Sequence, residues 1–338
     1  MFVGIIFSGC ATRVQPITET VPYVSLPEGG PVEVIEPFMD RLHSRIMNNE
    51  KGLGKYFRLD ENGKIILRAD FIDGENEYTV IYDTENAKNL GNSAFAIDFS
   101  ITEKLTGSRI EDTLVWRPGP GDEGLLLAFD DDYMDKWQQY FSLLDKYECK
   151  VTFFIQGNVD PLVTVPFARA AIERGHDVGF HSITHPDLRR VSEQTFMAET
   201  VEPQKLYMQH GIHVSSFAYP FGFSETWMHE VLLDTFDVVR GYGVTFRIYN
   251  ENDIRSGHII SRAIDNTVIQ GNENFEKTIM SMLLTVKFLE DSRVLPLTTH
   301  DISDTAAWGI TAARLEFLLK TASDLGLRFY RYNDFSVR

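Results

Sequence analysis

From residue 125 to residue 330, short apolar runs alternate with amphipathic windows of helical period, and no other feature of the chain constrains its fold as strongly. The strand candidates lie at 125–129, 151–155, 177–180, 214–218, 238–239, 258–261, 295–298 and 328–330. Helical windows at 134–147, 163–174, 193–210, 274–289 and 311–325 separate most of them. Repeated strand and helix predicts a parallel sheet, because parallel neighbours need a long crossover and a helix supplies it. With this many strands the expectation is an α/β fold, a distorted (β/α) barrel of about seven strands.

The part before residue 122 reads differently. Over 50–118 short alternating runs at 64–71, 78–82 and 93–100 are separated by turn signals, among them Asn62-Gly63 and Asp73-Gly74. These predict a small all-β, sandwich-like domain. Trp116-Arg-Pro-Gly-Pro-Gly121 punctuates the chain, and 122–338 forms the second domain. Residues 23–49, with Pro27, Pro31 and Pro37, are expected to be a linker. Residues 1–22 open with an apolar run that reaches small residues at Cys10 and resembles a truncated bacterial lipoprotein signal. That resemblance implies lipidation of Cys10, a tether beyond it, and an exported protein held at a bacterial cell envelope.

Composition narrows the partners. A formal charge of −17 over 338 residues argues against nucleic acid and against the acidic face of a bilayer, and it suits a neutral or basic ligand, neutral glycans included. Membrane association is expected only through the lipid on Cys10. Two cysteines, Cys10 and Cys149, make no disulfide framework and no metal-binding pair.

The candidate chemistry is a metal site. Asp130, Asp131 and Asp132 follow the first strand of the second domain, and His181 and His185 follow the third. Spaced i and i+4, the two imidazoles would project alike from one helical turn and share one divalent cation with an upstream carboxylate. Three protein ligands leave a position open, the mark of a hydrolytic rather than a structural metal. Pro220 and His300 end later strands, so all of these residues are placed at one face of the barrel.

These residues carry a resemblance. Leu126-Leu-Ala-Phe-Asp-Asp-Asp132, Val151-Thr-Phe-Phe-Ile-Gln-Gly157, Gly175-His-Asp-Val-Gly-Phe-His-Ser-Ile-Thr-His-Pro-Asp-Leu188, Phe217-Ala-Tyr-Pro-Phe-Gly222 and Leu295-Pro-Leu-Thr-Thr-His300 stand in the order of the family's motifs. Residues 122–335 thus resemble the polysaccharide deacetylase family, the NodB-homology domain of carbohydrate esterase family 4. The resemblance implies a metal-dependent hydrolase that removes acetyl groups from an N-acetylated or O-acetylated polysaccharide. It implies Asp131, His181 and His185 as ligands of zinc, with cobalt, nickel or iron also suited to such a donor set. It further implies Asp130 as general base, His300 as general acid, and the backbone N–H of Phe221 at the oxyanion, with Tyr219 and Asp132 near the substrate.

Two departures stand out. Where the family's third motif often carries an arginine that pairs with the base, this chain has Ala218, and Arg262 is the expected substitute. The usual Asp-Trp motif is missing, which leaves Asp265 and Asp301 both open as partners of His300. Tyr133, Tyr219, Phe221, Phe223 and Trp308 are candidate walls of a sugar subsite or core residues. The alternative function is a catalytically impaired, glycan-binding envelope lipoprotein of the same fold, and a third class is a barrel hydrolase of another bond.

Overall fold

The computed structural model describes residues 54–73, 76–255, 257–289 and 293–336. Cys10, the tether and the linker lie outside the described residues. The chain divides into two compact units, one running to Asp83 and resuming over Ile97–Leu114, the other comprising Thr84–Ala96 and Val115–Arg338.

The first strands are β1 (Gly54–Leu59), β2 (Ile65–Asp73), β3 (Asn76–Gly91), β4 (Ala94–Glu103) and β5 (Arg109–Trp116). They form one five-stranded sheet in sequential order, with β1–β2 and β2–β3 antiparallel. Among the described residues this is a single sheet, not the two packed sheets of the expected sandwich. Period-2 alternation specifies only that one face is apolar, here Leu67, Ala69, Val80, Ile97 and Phe99, and does not say what covers it. The segment Thr84–Ala96 also falls with the second unit, not the first. There Thr84 Oγ1 and Ser281 Oγ lie 2.6 Å apart, and Asn89 Nδ2 donates to Asp324 Oδ2 at 2.7 Å.

The second unit is the expected barrel. Its strands are β6 (Gly124–Asp131), β7 (Thr152–Ile155), β8 (Asp177–Phe180), β9 (Ser216–Ala218), β10 (Val238–Gly243), β11 (His258–Ala263) and β12 (Val294–Thr299). All pair in parallel in that order, and β12 closes on β6 to complete seven strands. A two-stranded ribbon, β13 (Asp301–Ile302) with β14 (Gly309–Ile310), sits just past β12, and β15 (Arg328–Tyr330) adds to the start of β6.

Among the described residues nine helices lie between these strands. They are α1 (Met134–Gln139), α2 (Phe141–Lys146), α3 (Thr164–Glu173), α4 (Glu193–Thr200), α5 (Glu202–Gln209), α6 (Thr226–Leu233), α7 (Glu251–Arg255), α8 (Asn272–Leu289) and α9 (Ala312–Asp324). The expected helix at 193–210 is two helices: Pro203 sits in the first turn of α5, where its missing N–H costs nothing.

Alternation along each strand sorts side chains between lumen and helix layer. Leu126, Ala128, Phe154, Ala218, Val238, Ile259 and Val294 meet in one buried cluster in the lumen. Outside β6 and β7, Phe129 and Phe153 pack with Trp137, Phe141 and Phe167 of the helix layer and with His176 just before β8. At the strand N-termini the lumen is plugged by the chain's C-terminal segment. Tyr332 and Phe335 join the lumen cluster, and the Tyr332 N–H donates to Thr152 Oγ1 at 3.0 Å. The Asp177 carboxylate there accepts from the Thr152 hydroxyl at 3.0 Å and the Asn333 N–H at 3.2 Å.

Candidate active site

At the opposite end, the C-terminal ends of β6, β8, β9, β10 and β12 bring the predicted residues together. Asp131, His181 and His185 offer ligand atoms that all lie within 4.8 Å of one another. Asp131 Oδ1 is 3.5 Å from His181 Nε2 and 3.7 Å from His185 Nε2. The His181 Nδ1 is 2.9 Å from the Ala218 carbonyl, which can only accept, so Nδ1 carries the proton and Nε2 keeps its lone pair. That Nε2 is buried, has no hydrogen-bond partner, and faces a carboxylate oxygen. Two lone-pair donors turned toward each other are repulsive unless a cation lies between them, so these residues fit a divalent metal.

The electrostatics agree. Burial would raise the Asp131 carboxyl, but the imidazoles gathered around it, His181 nearest with His300 and His185 beyond, hold it below its ordinary value. Burial, and next the neighbouring His181, lower the His185 imidazole, which favours the neutral form a metal requires.

The histidine pair does not ride on a helical turn. The segment after β8 is a loop in which Ser182 has φ 66° and His185 φ 56°. Pro186 is the physical reason, because its ring disfavours right-handed helical backbone at the residue before it. Glu199 of α4 shapes the loop, its carboxylate accepting from the N–H groups of Ile183 at 3.0 Å and Thr184 at 2.8 Å and from the Thr184 hydroxyl at 2.7 Å. With Asp131 at φ 87° and Phe221 at φ 58°, four non-glycine residues at this rim have left-handed backbone.

Asp130 is fully buried, and the partner expected for it is corrected. Arg240 Nη2 donates to Asp130 Oδ1 at 2.5 Å and Oδ2 at 2.6 Å, and both side chains are inaccessible to solvent. Arg262 is not involved: the β11 burial alternation puts Ser261, hydrogen-bonded to Thr298, in the lumen and turns Arg262 outward. Arg240 pairs in register with Ala218 across β9 and β10. The arginine missing from position 218 is thus replaced by one on the adjacent strand, and the small Ala218 side chain leaves it room. The trace in the sequence is a lone charge within the apolar run 238–241.

His300 finds its partner in Asp265, whose two carboxylate oxygens are each 3.1 Å from Nδ1, and not in Asp301. Thr299 Oγ1 donates to the same Asp265 at 2.8 Å, and Trp137 Nε1 donates to the His300 carbonyl at 2.9 Å. Burial disfavours the imidazolium, yet the hydrogen bond and charge of Asp265, with Asp130 and Asp131 behind, outweigh it and raise His300 to about 9. The imidazolium is therefore the favoured form of His300 at neutral pH.

Tyr219 is not at the substrate side. It is fully buried, and its hydroxyl is 2.9 Å from His229 Nδ1 of α6, because the strand period that turns Ala218 inward turns Tyr219 out. Phe221 does reach the rim, its ring 4.5 Å from that of His185. Gly222 makes this turn possible: it has φ 69°, and a Cβ there would lie 2.4 Å from the Tyr242 carbonyl oxygen. Asp132 is exposed beside the site, and Tyr242 and Trp308 flank the His300 ring at 5.6 and 5.9 Å.

Comparison with known proteins gives the class. Residues 118–235 match the polysaccharide deacetylase family. The barrel domain belongs to that family, as its motifs implied. The protein YxkH of Bacillus subtilis (strain 168) is 28% identical over 108 residues, covering 30% of this chain and 38% of that protein. YlxY of the same organism is 34% identical over 73 residues, 20% of this chain and 22% of that one. The chain therefore spans well under half of either relative. Among solved structures, the peptidoglycan deacetylase PdaC from Bacillus subtilis aligns with a TM-score of 0.45 at 18% identity, over 64% of this chain and 91% of that one. The chitin deacetylase from Colletotrichum lindemuthianum gives 0.45 at 15% identity, over 64% and 88%.

Proposed function

We propose that the barrel domain removes acetyl groups from a polysaccharide by metal-dependent hydrolysis, with Asp131, His181 and His185 holding one divalent cation, zinc first among those that suit them. The observation that carries this reading is the buried, unpartnered Nε2 of His181 facing Asp131 between a salt-bridged aspartate and a protonated histidine. A cation bound there would supply Lewis acidity to a carbonyl oxygen and acidify water at its open position.

The chain's own groups divide the proton work. Asp130, fixed by Arg240, takes a proton from the attacking water, and a C–O bond forms at the acetyl carbon. The Phe221 N–H is the backbone donor assigned to the developing oxyanion. As the C–N or C–O bond to the sugar breaks, His300 gives its proton to the departing atom, and Asp265 stabilises the proton until then. Products are acetate and a free amine or hydroxyl. Because Arg240 stands where the missing motif arginine would act, Ala218 is no reason to read the site as impaired.

Placement at a bacterial envelope through lipidated Cys10 belongs to the same proposal. Among the described residues no helix is long and apolar enough to cross a membrane. The deciding experiment is acetate release by the full chain from N-acetylglucosamine oligomers and acetylated xylan, before chelation, after it, and after zinc return. Metal-dependent release is expected; release that survives complete chelation overturns the metal assignment, and no release from any acetylated glycan overturns the function.

A further inference from the structure

The rim carries a feature that the acetyl chemistry does not use, an exposed aromatic row leading away from His185. Phe221 meets His185 edge-on at 4.5 Å, and Phe223 follows Phe221 at 6.1 Å. Phe221 and Phe223 are 43% and 46% exposed, and Trp227 at the start of α6 is 39% exposed. The Phe223 and Trp227 rings are each held in place. The Arg189 guanidinium lies 4.0 Å over the Phe223 ring and is itself locked by hydrogen bonds of 2.9 and 2.8 Å to Asp187. Trp227 packs on Phe196 at 4.9 Å and donates its Nε1 to Glu225 at 2.9 Å, and the Glu225 charge reaches Arg189.

Rigid rings left in water beside a candidate active site mark a binding surface more than a packing residue. The row alternates apolar faces with an Arg–Asp pair and a carboxylate. A pyranose ring has the matching character, one apolar C–H face bordered by hydroxyls that need donors and acceptors. Continuity with His185 puts any ring bound here next to the sugar whose acetyl group is at the metal ligands.

We propose that Phe223, buttressed by Arg189, is a distal subsite that stacks on the sugars adjoining the acetylated one, so that the protein selects polymer over a single acetylated sugar. This rests on the deacetylase reading above. The test compares kcat/KM for acetate release from short and long oligomers of N-acetylglucosamine and of acetylated xylan, using the full chain, Phe223→Ala and Phe223→Trp. In Phe223→Ala the long-to-short ratio is expected to fall about threefold to tenfold, chiefly through KM, and Phe223→Trp to restore it. A ratio that does not move, or an equal loss on both lengths, overturns the subsite. Should the full chain release no acetate, the deacetylase reading fails separately, and calorimetric binding of the long oligomers decides: weaker binding by Phe223→Ala supports the subsite, and equal binding overturns it.

Discussion

The two ends of the barrel are made by the same strands and do opposite things. At the N-terminal end packing and hydrogen bonds close the lumen: Asp177 accepts from Thr152 and Asn333, and Tyr332 and Phe335 fill it. At the C-terminal end His181 Nε2 has no partner, four non-glycine residues have left-handed backbone, and the Asp130–Arg240 pair is buried whole. The difference teaches that a packed floor stabilises a rim whose left-handed backbone and buried charges come at a cost to the fold.

The comparison breaks most visibly at Arg240. Arg240→Ala leaves Asp130 buried and unpaired, which is expected to cost about 3 to 5 kcal/mol and nearly all turnover. Urea unfolding and acetate release check this, and Arg262→Ala is the control, expected to keep turnover within a few-fold. Equal losses in both variants would show that Asp130 does not depend on Arg240. At the floor, Tyr332→Ala removes a fully buried ring and should cost about 3 to 5 kcal/mol while sparing far more turnover than Arg240→Ala does. A matching collapse of kcat in folded protein would erase the distinction between the ends.

A finer cut separates charge from shape at His300. Asp265→Asn removes the carboxylate that raises the imidazole to about 9, so the proton is lost at lower pH. The alkaline limb of kcat should move to lower pH and kcat fall about 10- to 100-fold. An unmoved limb would mean that another group supplies the proton.

The smallest effect lies at the floor, in two adjacent buried groups with opposite linkage. Burial raises Asp177 from 3.8 to about 6, so the stability it contributes is full below 3.8 and lost as pH rises through 6. Burial lowers His176 from 6.5 to about 4, so its contribution is full above 6.5 and lost as pH falls toward 4. Each is worth up to about 3 kcal/mol, and together they nearly cancel. Relative to wild type, Asp177→Asn should gain stability as pH rises from 4.5 to 6.5, and His176→Phe should gain it as pH falls. Parallel pH trends in the two variants would contradict that opposition.

The strand–helix alternation in the second domain was legible because crossovers impose long, periodic segments, and the metal-ligand candidates were legible because each sits in a short motif at a strand end. The breaks in the helical windows were partly legible, as at Pro203. Glu199 carried no signal, since it lies outside every motif, 16 and 15 residues beyond the Ile183 and Thr184 backbone it holds. Tyr219 was misplaced by one position, and in a strand one position exchanges lumen for helix layer.

By itself the sequence determined the barrel and the donor set Asp131, His181 and His185, because both follow from local periodicity and local motifs. Only the tertiary structure decided that Arg240 and not Arg262 holds Asp130, and that Asp265 and not Asp301 serves His300. Those choices depend on strand register and on which face each residue takes, relations between segments that no single segment encodes.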